Sequence, residues 1–194
     1  MSALNNTQRY GYLPMTFHWI MLILLIITVS SMEFHGVLEK ALNSKSKAYA
    51  VHFMFGLSIL FLVIPRIMVR FAKPAPQIIP PLPRWQSISA TLLHGSLYIV
   101  MIAMPMFGWL AVSAFGAPHI LFFGLDIPPL MSENKELAKI FKEIHESFAL
   151  VGLVLISLHV LSAIYHHFIR RDNTVLRMIP KHCASSASLS CHSK

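Results

Sequence analysis

His145-Glu146-Ser147-Phe148-Ala149-Leu150-Val151-Gly152-Leu153-Val154-Leu155-Ile156-Ser157-Leu158-His159 sets two histidines in one apolar run, with a glycine midway between them. His166 follows at the same seven-residue interval. On an α-helix this spacing keeps all four positions on one stripe, two turns between neighbours. At about 1.5 Å per residue, His145 and His159 stand roughly 21 Å apart along the axis. An ionisable side chain inside a membrane helix is costly and marks function. Two imidazoles at two depths of one stripe suggest two metal centres, and two haems are the obvious candidates.

The rest of the chain has the composition this reading needs. Of its 194 residues, 55% are hydrophobic and 12% charged, about half the charged fraction of a soluble domain. The apolar residues fall in four long runs, with cores at Phe17–Ser31, Phe53–Val69, Leu92–Ser113 and Phe148–Ile169. With flanks, each approaches the roughly 20 residues a spanning helix needs. The expected fold is an all-α integral membrane protein, a four-transmembrane-helix bundle, over residues 1–180. Residues 181–194 read as a disordered, Ser-rich tail. The first run is read as a retained helix, not a cleaved signal. His18 and Trp19 interrupt its start, and no small-x-small cleavage site follows Ser31.

The formal net charge of +8 is a topology signal. In a four-span chain Arg9, Arg66, Arg70, Lys73, Arg84, Arg170, Arg171, Arg177, Lys181 and Lys194 share one side. Six lysines share the other with seven carboxylates, Glu33, Glu39, Asp126, Glu133, Glu136, Glu143 and Glu146. The Lys/Arg-rich side is expected to be cytoplasmic, which puts both termini inside. Nucleic-acid binding is excluded as an explanation of the charge. Cys183 and Cys191 lie in the inner tail, where thiols are normally reduced. With His182 and His192 they match no established zinc spacing.

Between the runs, the chain alternates short and long connections. The first outer loop, around Gly36–Lys47, is short. The inner connection Lys73–Trp85 carries Pro74, Pro76, Pro80, Pro81 and Pro83 and is expected to be extended and stiff. The third span starts near Gln86, and Pro105 is expected to kink it. The second outer loop, about Ala114–Ala138, is the largest. Its apolar stretch Ile120–Leu125 is expected to lie in the interface or cover the outer end of the bundle. Asn134–His145 reads as a helical extension of the fourth span.

Depth sorts the eleven histidines. His18 lies nine residues inside Arg9, and His159 eleven residues before Arg170, so both belong to the inner half. His52 lies five residues after Lys47, and His145 three residues after Lys142, so both belong to the outer half. A b-type haem needs two imidazoles from different helices facing each other at one depth, as helix bundles supply. His94, ten residues after Arg84, has the same depth as His18. Spacing leaves open which of the two faces His159. Gly152 and Gly56 are in phase with the histidines and would leave room for a porphyrin; close helix packing is the ordinary role of such glycines. Arg66 shares a face with His52, fourteen residues on, at the level of His159. It suits a haem propionate or a snorkelling interfacial arginine, and both readings stand. His166 could hydrogen-bond a quinone or a propionate, or be an interfacial residue. His35, His119, His182 and His192 fall in loops or the tail.

The residues Phe17-His18-Trp19, Met32-Glu33-Phe34, Pro65-Arg66-Ile67, Pro74-Ala75-Pro76, the region of His94, Pro105-Met106-Phe107-Gly108 and Phe123-Gly124-Leu125 carry a resemblance. His145-Glu146, Leu158-His159, His166-His167 and Asp172 through Pro180 complete it. The chain resembles the prokaryotic di-haem cytochrome b561 family, related to the cytochrome b subunits of nickel–iron hydrogenases. The likeness is nearest to the superoxide oxidase branch. It covers nearly the whole chain up to Pro180.

The resemblance implies His18 and His159 as axial ligands of one haem and His52 and His145 of the other. It also implies a quinone site near His166 and delivery of superoxide to the outer haem. The expected protein is a multi-pass bacterial inner-membrane oxidoreductase, surrounded by lipid. It would pass electrons from superoxide, or another periplasmic redox donor, through two b-type haems to ubiquinone. The alternative is a cytochrome b anchor subunit serving a periplasmic dehydrogenase or hydrogenase. A transporter with proton-relaying or metal-binding histidines is a third class, separable by the absence of a haem spectrum. The outer charges sum to about minus one, so no global steering of an anionic donor is evident.

Overall fold

The computed structural model describes residues 3–5, 9–42, 45–116, 120–123 and 125–179. His119, Gly124 and the tail with His182, Cys183, Cys191 and His192 lie outside the described residues. Four helices dominate: α1 (Tyr12–Glu33), α3 (Lys45–Ala72), α4 (Arg84–Ala114) and α5 (Lys135–Ile164). Each is long and apolar enough to cross a membrane; the fourth candidate span runs on through a terminal turn to Arg170. Helix α1 packs on α3, α3 on α4, and α4 on α5. The buried centre is thin. Met21, Ile59 and Val63 form it, flanked by Leu24, Leu25, Leu62, Ile67, Tyr98 and Met101. Large apolar side chains such as Ile23, Ile26, Phe61, Ile64, Ile99, Leu150 and Leu161 point outward instead. A surface of this kind suits lipid, and backbone polar groups within it are satisfied along each helix.

The helix boundaries follow local chemistry. Pro83 precedes α4 at the end of the proline-rich connector; it has no N–H to donate, but its carbonyl accepts from the Ser87 amide at 3.2 Å. Asn134 caps α5: its side-chain oxygen accepts from the amides of Glu136 and Leu137, both at 3.1 Å. Glu136 in the first turn adds a favourable charge at the helix start. The extension expected over Asn134–His145 is therefore continuous with α5. Pro105 lies within an unbroken α4.

Two connections differ from expectation. The first loop contains a short helix, α2 (His35–Leu42), and α3 starts at Lys45, a full two turns before the apolar run. Hydrophobicity marks where a helix is dry, not where its hydrogen bonding starts. In the second loop, strands β1 (Ile120–Phe122) and β2 (Leu125–Ile127) pair antiparallel as a small hairpin. Phe123 at its turn meets Phe55 of α3 edge-on, ring centres 6.4 Å apart. The apolar stretch thus leans on one end of the bundle, as its composition suggested. This end is called the hairpin end below.

The opposite end, here the proline end, is locked by polar contacts that the polar N-terminal lead did not advertise. Asn5 is buried and donates to the carbonyls of Lys73 and Pro74, while its oxygen accepts from the Gly11 amide. A Cβ on Gly11 would stand 2.4 Å from the Ala3 carbonyl oxygen, so the lead can fold back only over a glycine. Asn173 exchanges hydrogen bonds with Ile79 and donates to the Gln77 carbonyl. Arg177 donates to the Pro76 carbonyl and lies over Tyr10. Trp19 donates to the Met178 carbonyl at 3.1 Å. The connector is therefore clasped from both sides by chain segments remote in sequence.

Candidate functional site

The bundle brings four of the sequence-selected histidines into two facing pairs. His52 of α3 and His145 of α5 have ring centres 6.0 Å apart. His18 of α1 and His159 of α5 have ring centres 6.2 Å apart. The first pair lies toward the hairpin end and the second toward the proline end. The same residues share a depth in the sequence, with His94 level with His18. His94 of α4 joins the second pair: its ring centre is 5.2 Å from that of His159.

These residues fit a metal-centred cofactor by two observations. A metal–imidazole bond of about 2 Å on each side of one metal places the two ring centres roughly 6 Å apart, which both pairs match. The second observation concerns the nitrogens. His52 Nδ1 lies 3.0 Å from the Thr28 carbonyl oxygen and 3.3 Å from Ser31 Oγ. His145 Nδ1 lies 2.8 Å from the Met104 carbonyl oxygen. A carbonyl only accepts, so each Nδ1 carries the proton and each Nε2 offers its lone pair. This is how ligating histidines are oriented, by a hydrogen bond from the other nitrogen. Thr28, Ser31 and Met104 are residues that sequence reading did not select. They act largely through main-chain carbonyls, which leave no side-chain signature.

At the other pair the arrangement differs. Arg66 donates to His18 Nδ1 at 3.2 Å and to the Phe17 carbonyl at 3.3 Å, and lies over Tyr98. The half-buried guanidinium thus ties α3 to α1. His94 Nδ1 lies 2.6 Å from the Ala90 carbonyl oxygen of its own helix, so its Nε2 is also the bare nitrogen.

The glycines divide. Gly56 has only Thr28 near its open side, at 3.9 Å. A Cβ on Gly152 would stand 3.1 Å from Val100 Cγ1, which is the helix-packing role. Among the described glycines, Gly108 is the one that lies against an imidazole.

His166 is not with the other histidines. From Tyr165 to Arg170 the helix widens into a π turn, which breaks the seven-residue phase just past His159. Arg171 then takes a left-handed conformation and the chain turns back. His166 Nδ1 meets Asp172 Oδ2 at 2.6 Å, and both residues are buried. Arg170 Nε lies 3.3 Å from the same oxygen, and its terminal nitrogens donate to Gln86 Oε1 and the Pro81 carbonyl. Burial pushes the Asp172 carboxyl up, but hydrogen bonds from Thr174 and His166 outweigh it and hold the group below its ordinary value. Beside Pro81 opens a cleft of about 430 Å³, lined by Gln77, Ile78, Pro81, Leu82 and Ser87.

A four-span bundle that pairs imidazoles from different helices across its interior defines an integral-membrane haem protein. The family model of prokaryotic cytochrome b561 matches residues 9–181. The chain is 34% identical to cytochrome b561 homolog 1 of Escherichia coli over 181 residues, 93% of this chain and 99% of the relative. It is 35% identical to the probable superoxide oxidase CybB of Yersinia pestis over 175 residues, 90% and 97% of the two chains. Cytochrome b561 homolog 2 of Escherichia coli is 29% identical over 185 residues. The chain belongs to the prokaryotic cytochrome b561 family. It is a multi-pass bacterial membrane protein of the oxidoreductase type that binds b-type haem.

Proposed function

We propose that this chain binds two b-type haems and carries electrons from superoxide at the hairpin end to ubiquinone at the proline end. The observation that carries the reading is the pair of histidine pairs: His52 with His145 and His18 with His159, separated by fourteen residues along α5. Haem bound at each pair supplies the one-electron chemistry. The chain supplies four imidazoles, an apolar setting and two ends with different polar groups. The hairpin end faces the periplasm and the termini the cytoplasm, by the excess of Lys and Arg at the proline end.

The four ligands are His18, His159, His52 and His145. For His18 to offer Nε2 to a metal in the usual tautomer, Nδ1 must carry a proton. A protonated Nδ1 cannot accept from Arg66, so the guanidinium must turn elsewhere. A haem propionate would be an anion for it to pair with, and Arg–carboxylate pairs are strong. The quinone reading rests on the buried His166–Asp172 pair, Arg170 and the cleft beside Pro81. The cleft lies within the size range of small-molecule sites. The pair gives quinone reduction a buried proton-carrying group at one end of the bundle. The superoxide reading draws on the Yersinia relative's name. Two superoxide anions, one quinone and two protons would give two dioxygen molecules and one quinol.

The test is to supply the purified haem-loaded chain with ubiquinone and enzymatically generated superoxide, and to follow quinol formation. Quinol formation by the chain alone supports the reading. No quinol until a periplasmic dehydrogenase or hydrogenase is added supports the anchor-subunit reading instead.

A further inference from the structure

The geometry points to Gly108 as a positioning residue for His145: the missing side chain at this one place on α4 lets the imidazole lie against the helix and bond the Met104 carbonyl. The inference rests on the proposal that His145 is a haem ligand. A Cβ built at Gly108 would stand 3.1 Å from both His145 Cε1 and Nδ1, and 3.9 Å from Nε2. These are three atoms of one ring, so the space a side chain would take is the space the imidazole occupies.

The local chemistry explains why the contact falls here. Met104 and Gly108 are one helical turn apart, on the same face of α4. The His145 Nδ1–H reaches the Met104 carbonyl at 2.8 Å by passing over position 108. A carbonyl oxygen has a second lone pair beyond its helical bond. Pro105, which follows Met104, carries no N–H, so the Met101 carbonyl one turn back lacks that helical donor. Any side chain at 108 forces the ring off the helix by a few tenths of an ångström or more. The ring cannot yield without stretching its bond to Met104 or changing its 6.0 Å separation from His52. Gly95 of the same helix has nothing within 4 Å of its Cβ direction, so glycine as such is not what α4 requires. Alanine is the better helix former at both positions. The cost of Gly108→Ala therefore falls on His145 and not on the helix.

The experiment compares Gly108→Ala, Gly108→Val, Gly95→Ala and His145→Ala in the purified, detergent-solubilised full chain. Haem per chain is read from the pyridine haemochrome, and each haem's environment from its low-spin electron paramagnetic resonance signal. Gly108→Val should fall from two haems per chain to one, as His145→Ala does. Gly108→Ala should keep the signal of the haem held by His18 and His159, and shift or lose that of the haem held by His52 and His145. Gly95→Ala should match the wild type. Two unchanged haem signals in Gly108→Ala and Gly108→Val overturn the inference, as does loss of both haems in Gly108→Ala. If His145→Ala itself keeps both haems, the ligand assignment fails first, and the inference fails with it. If Gly108→Val does not assemble, the Gly108→Ala signals decide.

Discussion

The imidazole of His94 lies 5.2 Å from that of His159, closer than the 6.2 Å that separates His18 from the same ring. Three histidines from α1, α4 and α5 therefore share one level of the bundle. All three remain candidates to hold a metal there on proximity alone. The separation of His18 from His159 is nearer the span that a metal between them requires, about 6 Å. His94 is also bonded to its own helix at Ala90.

His18→Ala is therefore expected to leave one haem per chain, and His94→Ala to leave two. The pyridine haemochrome of each purified variant measures this directly. One haem in His94→Ala and two in His18→Ala would reassign the ligand to His94.

Arg66 is expected to tune the haem near His18 and not merely to orient the chain. A positive charge beside a haem favours its reduced, more negative state. Arg66→Gln should keep both haems and make one midpoint potential more negative in a redox titration. Unchanged potentials, together with a terminal reporter that switches sides of the membrane, would leave Arg66 a topology residue only.

Asp172 is expected to matter to both stability and acid tolerance. Removing one partner of a buried ion pair costs about 3 kcal/mol, so Asp172→Ala should lower the melting temperature of the solubilised chain clearly. Its folded-state pKa is depressed. The contribution is then present above the unfolded carboxylate value, about 3.9, and is lost as pH falls through the lower folded value. The gap in melting temperature between wild type and Asp172→Asn should hold above the unfolded value and narrow to nothing as pH falls through the folded one. A gap that is already closed at neutral pH would sink this reading.

The cap at Asn134 offers a control away from the proposed cofactor positions. Asn134→Ala removes the acceptor for two amides and should cost about 1 kcal/mol. Thermal unfolding should show the loss while the visible spectrum stays that of the wild type. A changed spectrum would mean that the start of α5 positions His145.

Much of the candidate site was legible because the membrane simplifies the problem. Each span is an α-helix of known rise, so sequence distance from a charged flank converts to depth. His52 with His145 follows from that conversion, and so does a partner for His159 at the shared level of His18 and His94. It could not separate His18 from His94, which have equal depth and differ only in helix. It also carried His166 on a seven-residue phase into a turn that is no longer α-helical.

The sequence by itself determined the four spans, their lipid-facing character, the charge asymmetry and the two levels of histidine. All of these are periodic or compositional properties of single segments. Only the tertiary structure decided which carbonyls orient His52 and His145, that Gly108 and not Gly152 lies against His145, and that Asn5, Asn173 and Arg177 clasp the proline-rich connector. These depend on the rotation of one helix against another and on main-chain atoms, which every residue possesses alike. Hydropathy fixes how deep a residue sits in the bilayer, but packing fixes what it faces.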